Sequence, residues 1–128
     1  MLAENTVLTG RRAITRSYAK INLTLDVLSK RENGYHDIKM IMQTVSLFDL
    51  ILVDKTHRGI SISTNLPYLP CNEKNIAYKA ADAFFKAPGI RGGAKIVIHK
   101  NIPVAAGLAG GSGNCAAVLT AINMLHGN

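Results

Sequence analysis

The sequence predicts an α+β fold, one mostly antiparallel sheet with helices packed on it. Two observations carry this. Up to Pro70 the chain reads as strand-like runs separated by turns, without the regular strand–helix alternation of a doubly wound sheet. Beyond it the order becomes helix, strand, helix, each bounded by glycine, proline or a capping residue. A length of 128 residues suits one domain with its own core.

Residues 1–12 show no firm periodicity and read as a lead-in, so the domain is placed at 13–128. From Ala19 the pattern alternates strictly. Ala19, Ile21, Leu23, Leu25 and Val27 fall on one face, against Lys20, Asn22, Thr24 and Asp26 on the other. Lys20 and Asn22 therefore share a face, roughly 7 Å apart along the strand. The segment SKRENG is a turn. IKMIMQTVSLF and LILVD read as two strands separated at Phe48-Asp49, and ISIS as a short one after Gly59. NLPYLPCNEKN is a loop with two prolines. Asn72 or Asn75 caps the helix that follows, whose Ile76, Ala80, Ala83 and Phe84 share a face. Ala87-Pro88-Gly89 stops it. Ala94–His99 is a strand, and a helix runs from about Ser112 to Leu125.

Composition narrows the class of partner. Fifteen Lys+Arg against eight Asp+Glu give a net charge of +7, which favours anionic ligands: phosphorylated metabolites, nucleic acid or an acidic surface. The charge is dispersed, and Arg11-Arg12 and Lys30-Arg31 are too short for nucleic-acid tracts. Cys71 and Cys115 have neither CxxC nor Cys/His ligand spacing, which argues against a structural metal and for reduced thiols in a cytoplasmic protein. No apolar run is long enough to span a membrane, and the N-terminus lacks the zones of a signal peptide.

The stretch PVAAGLAGGSGNCAAVL carries the chemistry. Gly107, Gly110, Gly111 and Gly113 leave a backbone whose N–H groups can converge on an anion. The helix that follows adds unpaired N–H groups and the positive end of its dipole. Ser112 contributes a hydroxyl, and Asn114 lies in the first turn. No lysine ends the loop, so it is not a Walker A motif, and its glycines do not fit GxGxxG. Charge neutralisation must then come from a metal ion and a lysine elsewhere, for which Lys20 is the candidate. Close packing of a tight strand-to-helix turn is the competing reason for so many glycines.

The pattern P-x-x-x-G-L-x-G-G-S before an Ala-rich helix resembles the phosphate-binding motif of the GHMP kinases. AKINL at 19–23 followed by Gly34-Tyr35-His36 resembles the branch that phosphorylates a cytidine diphosphate derivative of methylerythritol in non-mevalonate isoprenoid biosynthesis. The likeness extends over residues 14–126. It implies a ribosomal-protein-S5-domain-2-like fold and transfer of the ATP γ-phosphate to a hydroxyl, with ATP and Mg²⁺ required. By the same resemblance Lys20 is the active-site lysine and Asn22 lines the substrate pocket. Tyr35 stacks on the cytosine and His36 bonds its edge. Pro103, Val104, Ala105, Ala106, Gly107, Leu108, Ala109, Gly110, Gly111, Ser112 and Gly113 wrap the ATP phosphates. Ser112 lies at the metal with Asn114 nearby, and Asn75 and Lys100 lie near the adenosine.

Two departures stand out. Gly113 occupies a position where the family often has a second serine, and Cys115 one where alanine is usual. The resemblance also implies a catalytic aspartate and a second domain beyond the last helix. None of Asp26, Asp37, Asp49, Asp54 or Asp82 matches that aspartate. The chain is accordingly read as an N-terminal ATP-binding portion, poorly active by itself. It is expected to bind small molecules rather than nucleic acid or membrane, and to self-associate through the apolar surface of its last helix. The alternative is a basic S5-like nucleic-acid or protein-binding module, which explains the charge but not the motifs.

Overall fold

The computed structural model describes residues 3–104 and 110–127, with backbone only for residues 3, 22, 24–27 and 36–40. A 3₁₀ turn (Ala3–Asn5) leads into β1 (Thr6–Thr9), β2 (Arg12–Lys30), β3 (His36–Thr56) and β4 (Gly59–Thr64). Helix α1 (Ile76–Phe85), β5 (Gly93–His99) and α2 (Gly110–Leu125) follow. One five-stranded sheet has the order β1-β2-β3-β5-β4. Its pairs are antiparallel except β4–β5, so the α+β class predicted from sequence is the one observed.

Three readings change. The segment taken as a lead-in contains β1, which pairs with the start of β2 from Thr6↔Thr15 to Thr9↔Arg12. The two strands expected around Phe48-Asp49 are one strand of 21 residues. Its ladder with β2 runs unbroken through Tyr18↔Phe48 and Ser17↔Asp49. The expected inner face of α1 is also rotated. Asn75 is the N-cap, its side chain accepting from the Ala77 N–H at 2.9 Å. That phase turns Ala77 and Ala81 inward and leaves Ile76 half exposed.

The core lies between one face of the sheet and the two helices. Ala13 on β2, Ile51 and Val53 on β3, and Ile96 and Ile98 on β5 meet Ala117, Val118, Ala121 and Ile122 of α2. Alternation puts Ala13, Thr15, Ser17 and Ala19 all inward, beneath the helices. Past Ala19 the pairing slips. Tyr18 pairs with Phe48 but Lys20 with Thr44, so three residues of β3 oppose one of β2. Beyond this bulge the β2–β3 hairpin leaves the helical layer. Leu23, Leu28, Ile41 and Met42 are exposed there, so at Leu23 the strict alternation read from Ala19 does not give a buried side chain.

Helix α2 buries Asn114, Ala117, Val118, Ala121 and Ile122. Cys115 and Leu125 are only partly covered. Burial raises the Cys115 thiol's pKa, so it stays protonated at neutral pH and packs as a small apolar group. On the outer side of α2 Leu119 is exposed, with Cys115, Ala116, Met124 and Leu125 partly exposed. At the far end of the core His126 packs edge-on against Phe85, ring centroids 5.3 Å apart.

Candidate functional site

Four elements meet where β5 ends and α2 begins. The cross-strand pair Ser17–Asp49 lies on the inner face of the sheet, both side chains buried. The Asp49 carboxylate is fully buried at the edge of the apolar core, and its surroundings account for that. Lys100, the first residue after β5, places its ammonium 2.6 Å from Asp49 Oδ2. Asp49 Oδ1 accepts from the backbone N–H groups of Asn101 (2.6 Å) and Ile102 (2.8 Å). Asn114, its amide oriented by its neighbours, accepts from Lys100 Nζ at 2.8 Å. It donates to Asp49 Oδ2 and the Gly110 carbonyl, each at 3.1 Å. Asn65 fixes the Lys100 backbone from the other side, accepting from its N–H (2.7 Å) and donating to its C=O (3.1 Å).

The glycines of this region do different things. A Cβ on Gly110 would lie 3.2 Å from Ile102 Cγ2 and 3.4 Å from Lys100 Nζ, so Gly110 keeps α2 close to the end of β5. A larger residue there would fill space inside the protein rather than over the loop. A Cβ on Gly111 would meet only the tip of Ile76. Gly113 abuts β2, and a Cβ there would fall 2.7 Å from Ser17 Oγ. This gives the Gly113 departure a physical reason: the Ser17 hydroxyl occupies the space that a side chain at position 113 would need. Gly113→Ala should therefore cost about 1–3 kcal/mol through overpacking. In a Ser17→Ala background the same change should become neutral or stabilise by up to about 1 kcal/mol, as alanine does in a helix. Urea unfolding of the four proteins decides; equal effects in both backgrounds would contradict the contact.

The remaining predicted residues fall into three groups. Pro103, Val104, Gly111 and Ser112 are exposed at the two ends of the glycine-rich loop. Lys20 is exposed on β2, the first paired residue past the bulge, and its register continues unbroken to Asn22. Tyr35 stands exposed at the hairpin tip, where its N–H is held by Asn33 Oδ1 at 3.0 Å. The structure does not bring Tyr35 beside Lys20, since the stretch Ile21–Lys30 separates them along β2. Ala105, Ala106, Gly107, Leu108 and Ala109, and the side chains of Asn22 and His36, lie outside the described residues. Asn75, Lys100 and Asn114 have their polar groups engaged within the protein: Asn75 as cap and donor to the Pro70 carbonyl, the other two around Asp49. Asp49 itself is the residue that sequence reasoning missed. The available signal was its parity, since it alternates with Ile51 and Val53 and so had to be buried.

The model of the GHMP kinases N terminal domain matches residues 75–128. A crystal structure of 4-(cytidine 5'-diphospho)-2C-methyl-D-erythritol kinase superposes with a TM-score of 0.78 at 37% identity, over 89% of this chain and 41% of that one. The chain carries a GHMP kinase N-terminal domain. The homoserine kinase from Cytophaga hutchinsonii shares this domain's fold, with a TM-score of 0.73 at 21% identity over 95% of this chain and 38% of that one. Curated relatives include the 4-diphosphocytidyl-2-C-methyl-D-erythritol kinase of Clostridium kluyveri, 51% identical over 88% of this chain and 40% of that protein. The enzyme of the same name from Clostridium perfringens (strain ATCC 13124) is 55% identical over 86% of this chain and 38% of its own length. The domain thus spans about 40% of the length of the curated relatives it matches. In this GHMP kinase domain the glycine-rich helix start and the Asp49 cluster lie together at one edge of the core.

Proposed function

We propose that this domain binds ATP and substrate in a kinase that transfers the γ-phosphate of ATP to the 2-hydroxyl of 4-diphosphocytidyl-2-C-methyl-D-erythritol. One observation carries the reading. A sequence 51% identical to a relative of that name combines the glycine-rich helix start, Lys20 and the Tyr35-His36 pair.

Phosphoryl transfer asks a protein for position and charge stabilisation more than for covalent chemistry. The loop from Pro103 to Gly113 holds the triphosphate through backbone N–H groups, aided by the dipole of α2. The Lys20 ammonium neutralises charge on the transferring group, and its exposed place past the bulge suits a ligand in the open. Asn22, on the same strand face, lines the pocket for the accepting alcohol. Tyr35 offers a flat face to the cytosine and His36 a polar edge.

Among the described residues no group of three His, Cys, Asp or Glu side chains could hold a metal ion. The Ser112 hydroxyl at the exposed helix start would offer one oxygen, which fits an ion that arrives with the ATP phosphates and needs few protein ligands. An ion held there would supply positive charge against the phosphate oxygens. Asp49, Asp54 and Asp82 are ion-paired with Lys100, Arg12 and Lys86, so none is poised to take the proton of the accepting hydroxyl.

Calorimetric titration with 4-diphosphocytidyl-2-C-methyl-D-erythritol tests the substrate assignment. Tyr35→Ala should weaken its binding by about tenfold or more, the usual scale of a lost base stack, and leave MgATP binding unchanged. Equal substrate affinity in the wild type and Tyr35→Ala would sink the role of Tyr35. No binding at millimolar substrate would sink the substrate itself.

A further inference from the structure

We infer that Asp49 is a positioning residue for phosphate binding, because its single carboxylate holds both ends of the glycine-rich loop. The inference deepens the phosphate-binding reading and rests on it. On the entry side, Oδ1 takes the N–H groups of Asn101 and Ile102, the last residues before Pro103. On the exit side, Oδ2 takes the amide of Asn114, whose nitrogen also bonds the Gly110 carbonyl. Lys100 reaches Oδ2 and the Asn114 oxygen and ties the two sides together. Ile102 and Gly110 bracket the loop and are packed against each other, as the 3.2 Å space at Gly110 shows.

Two physical consequences follow. Holding residues 101–102 and 110–114 in place beforehand lowers the ordering cost of presenting the N–H groups at the start of α2 to an anion. And a carboxylate below a helix N-terminus would repel that anion unless neutralised, which the Lys100 ammonium does at 2.6 Å. The position needs a carboxylate rather than an amide. Four donors converge on it, and only an ionised carboxylate accepts on both oxygens. In Asp49→Asn the shape and the Oδ1 bonds persist, but an NH₂ group faces the Lys100 ammonium and the Asn114 amide. The exit half of the clamp is lost selectively. Asn114→Ala removes the same link from the helix side with a strong helix former.

The test measures affinity for MgATP and for inorganic tripolyphosphate, together with amide hydrogen exchange, in the wild type and both variants. Each variant should bind both ligands about tenfold more weakly, the scale of a charge-assisted bond. Exchange should speed up more at residues 101, 102, 104 and 110–114 than at Ile51, Val53, Ile96 and Ile98, whose rates follow the global stability. Unchanged affinity in a folded variant would overturn the inference. So would exchange that rises evenly across the sheet, with affinity falling only as the folded fraction falls. If the wild type binds neither ligand, the phosphate-binding reading fails by itself. The exchange pattern then decides the clamp, local acceleration supporting it and uniform acceleration refuting it. If Asp49→Asn does not fold, Asn114→Ala gives the same readings.

Discussion

Lys100→Met should lower the stability of the domain by about 3–5 kcal/mol, the cost of stranding one member of a buried ion pair. The side chains of Lys100 and Asp49 are 6% and 0% exposed, so water cannot replace the lost partner. The Asn114 amide oxygen loses a donor as well. In Asp49→Asn/Lys100→Met the cost should shrink. The charge is gone from both sides, and the amide oxygen introduced at position 49 still accepts from Asn101 and Ile102. A leucine at that position should recover less, because those two backbone N–H groups would be buried without acceptors, at about 1–3 kcal/mol each. Chemical denaturation can rank the four proteins. A Lys100→Met variant within about 1 kcal/mol of wild type, the effect of an ordinary substitution, would mean that the pair is not buried in solution.

Gly93→Ala should be as damaging, for a different reason. Gly93 opens β5 and is paired on both sides, antiparallel to Thr56 and parallel to Gly59. A Cβ would run into the Gly59 carbonyl oxygen and lie 2.5 Å from the Arg58 carbonyl carbon and 2.7 Å from the Gly59 nitrogen. These are backbone atoms in a three-strand crossing, with no rotamer to change. Either β4 or β5 must shift, which places the substitution among the rare changes costing about 4 kcal/mol or more. Gly111→Ala is the control. Its Cβ meets only the tip of half-exposed Ile76, and its stability should stay within about 1 kcal/mol of wild type. Similar midpoints for the two alanine variants would contradict the crossing.

What could be read from sequence was what is local. The glycine-rich run, its position at a helix start and the Lys20–Asn22 register depend on neighbours in the chain, and the structure has them. Asn75 was legible as one of two caps because capping acts over two or three residues. Asp49 was not legible as the centre of a cluster. Its cationic partner is 51 positions away, and an aspartate between Phe48 and Leu50 looks like a break in a strand until that partner is seen. β1 was missed because Val7 and Leu8 are both exposed, so burial imprinted no alternation on it. It is held by its ladder to β2 and by the Thr6–Thr15 hydroxyl pair at 2.8 Å. The face of α1 was misphased because alanine fits any face. Tertiary packing chose Ala77 with Ala81, and Ala117 with Ala121, to bring the helices close to the core.

The proposed phosphate site is the start of α2. Amide chemical shifts followed during a titration of the labelled domain with MgATP test it most directly. The largest and saturable changes should fall on Gly110, Gly111, Ser112 and Gly113, with inorganic tripolyphosphate moving the same signals and adenosine leaving them in place. Changes centred instead on the dispersed basic surface around Arg11-Arg12 or Lys30-Arg31, or no change at millimolar MgATP, would contradict it.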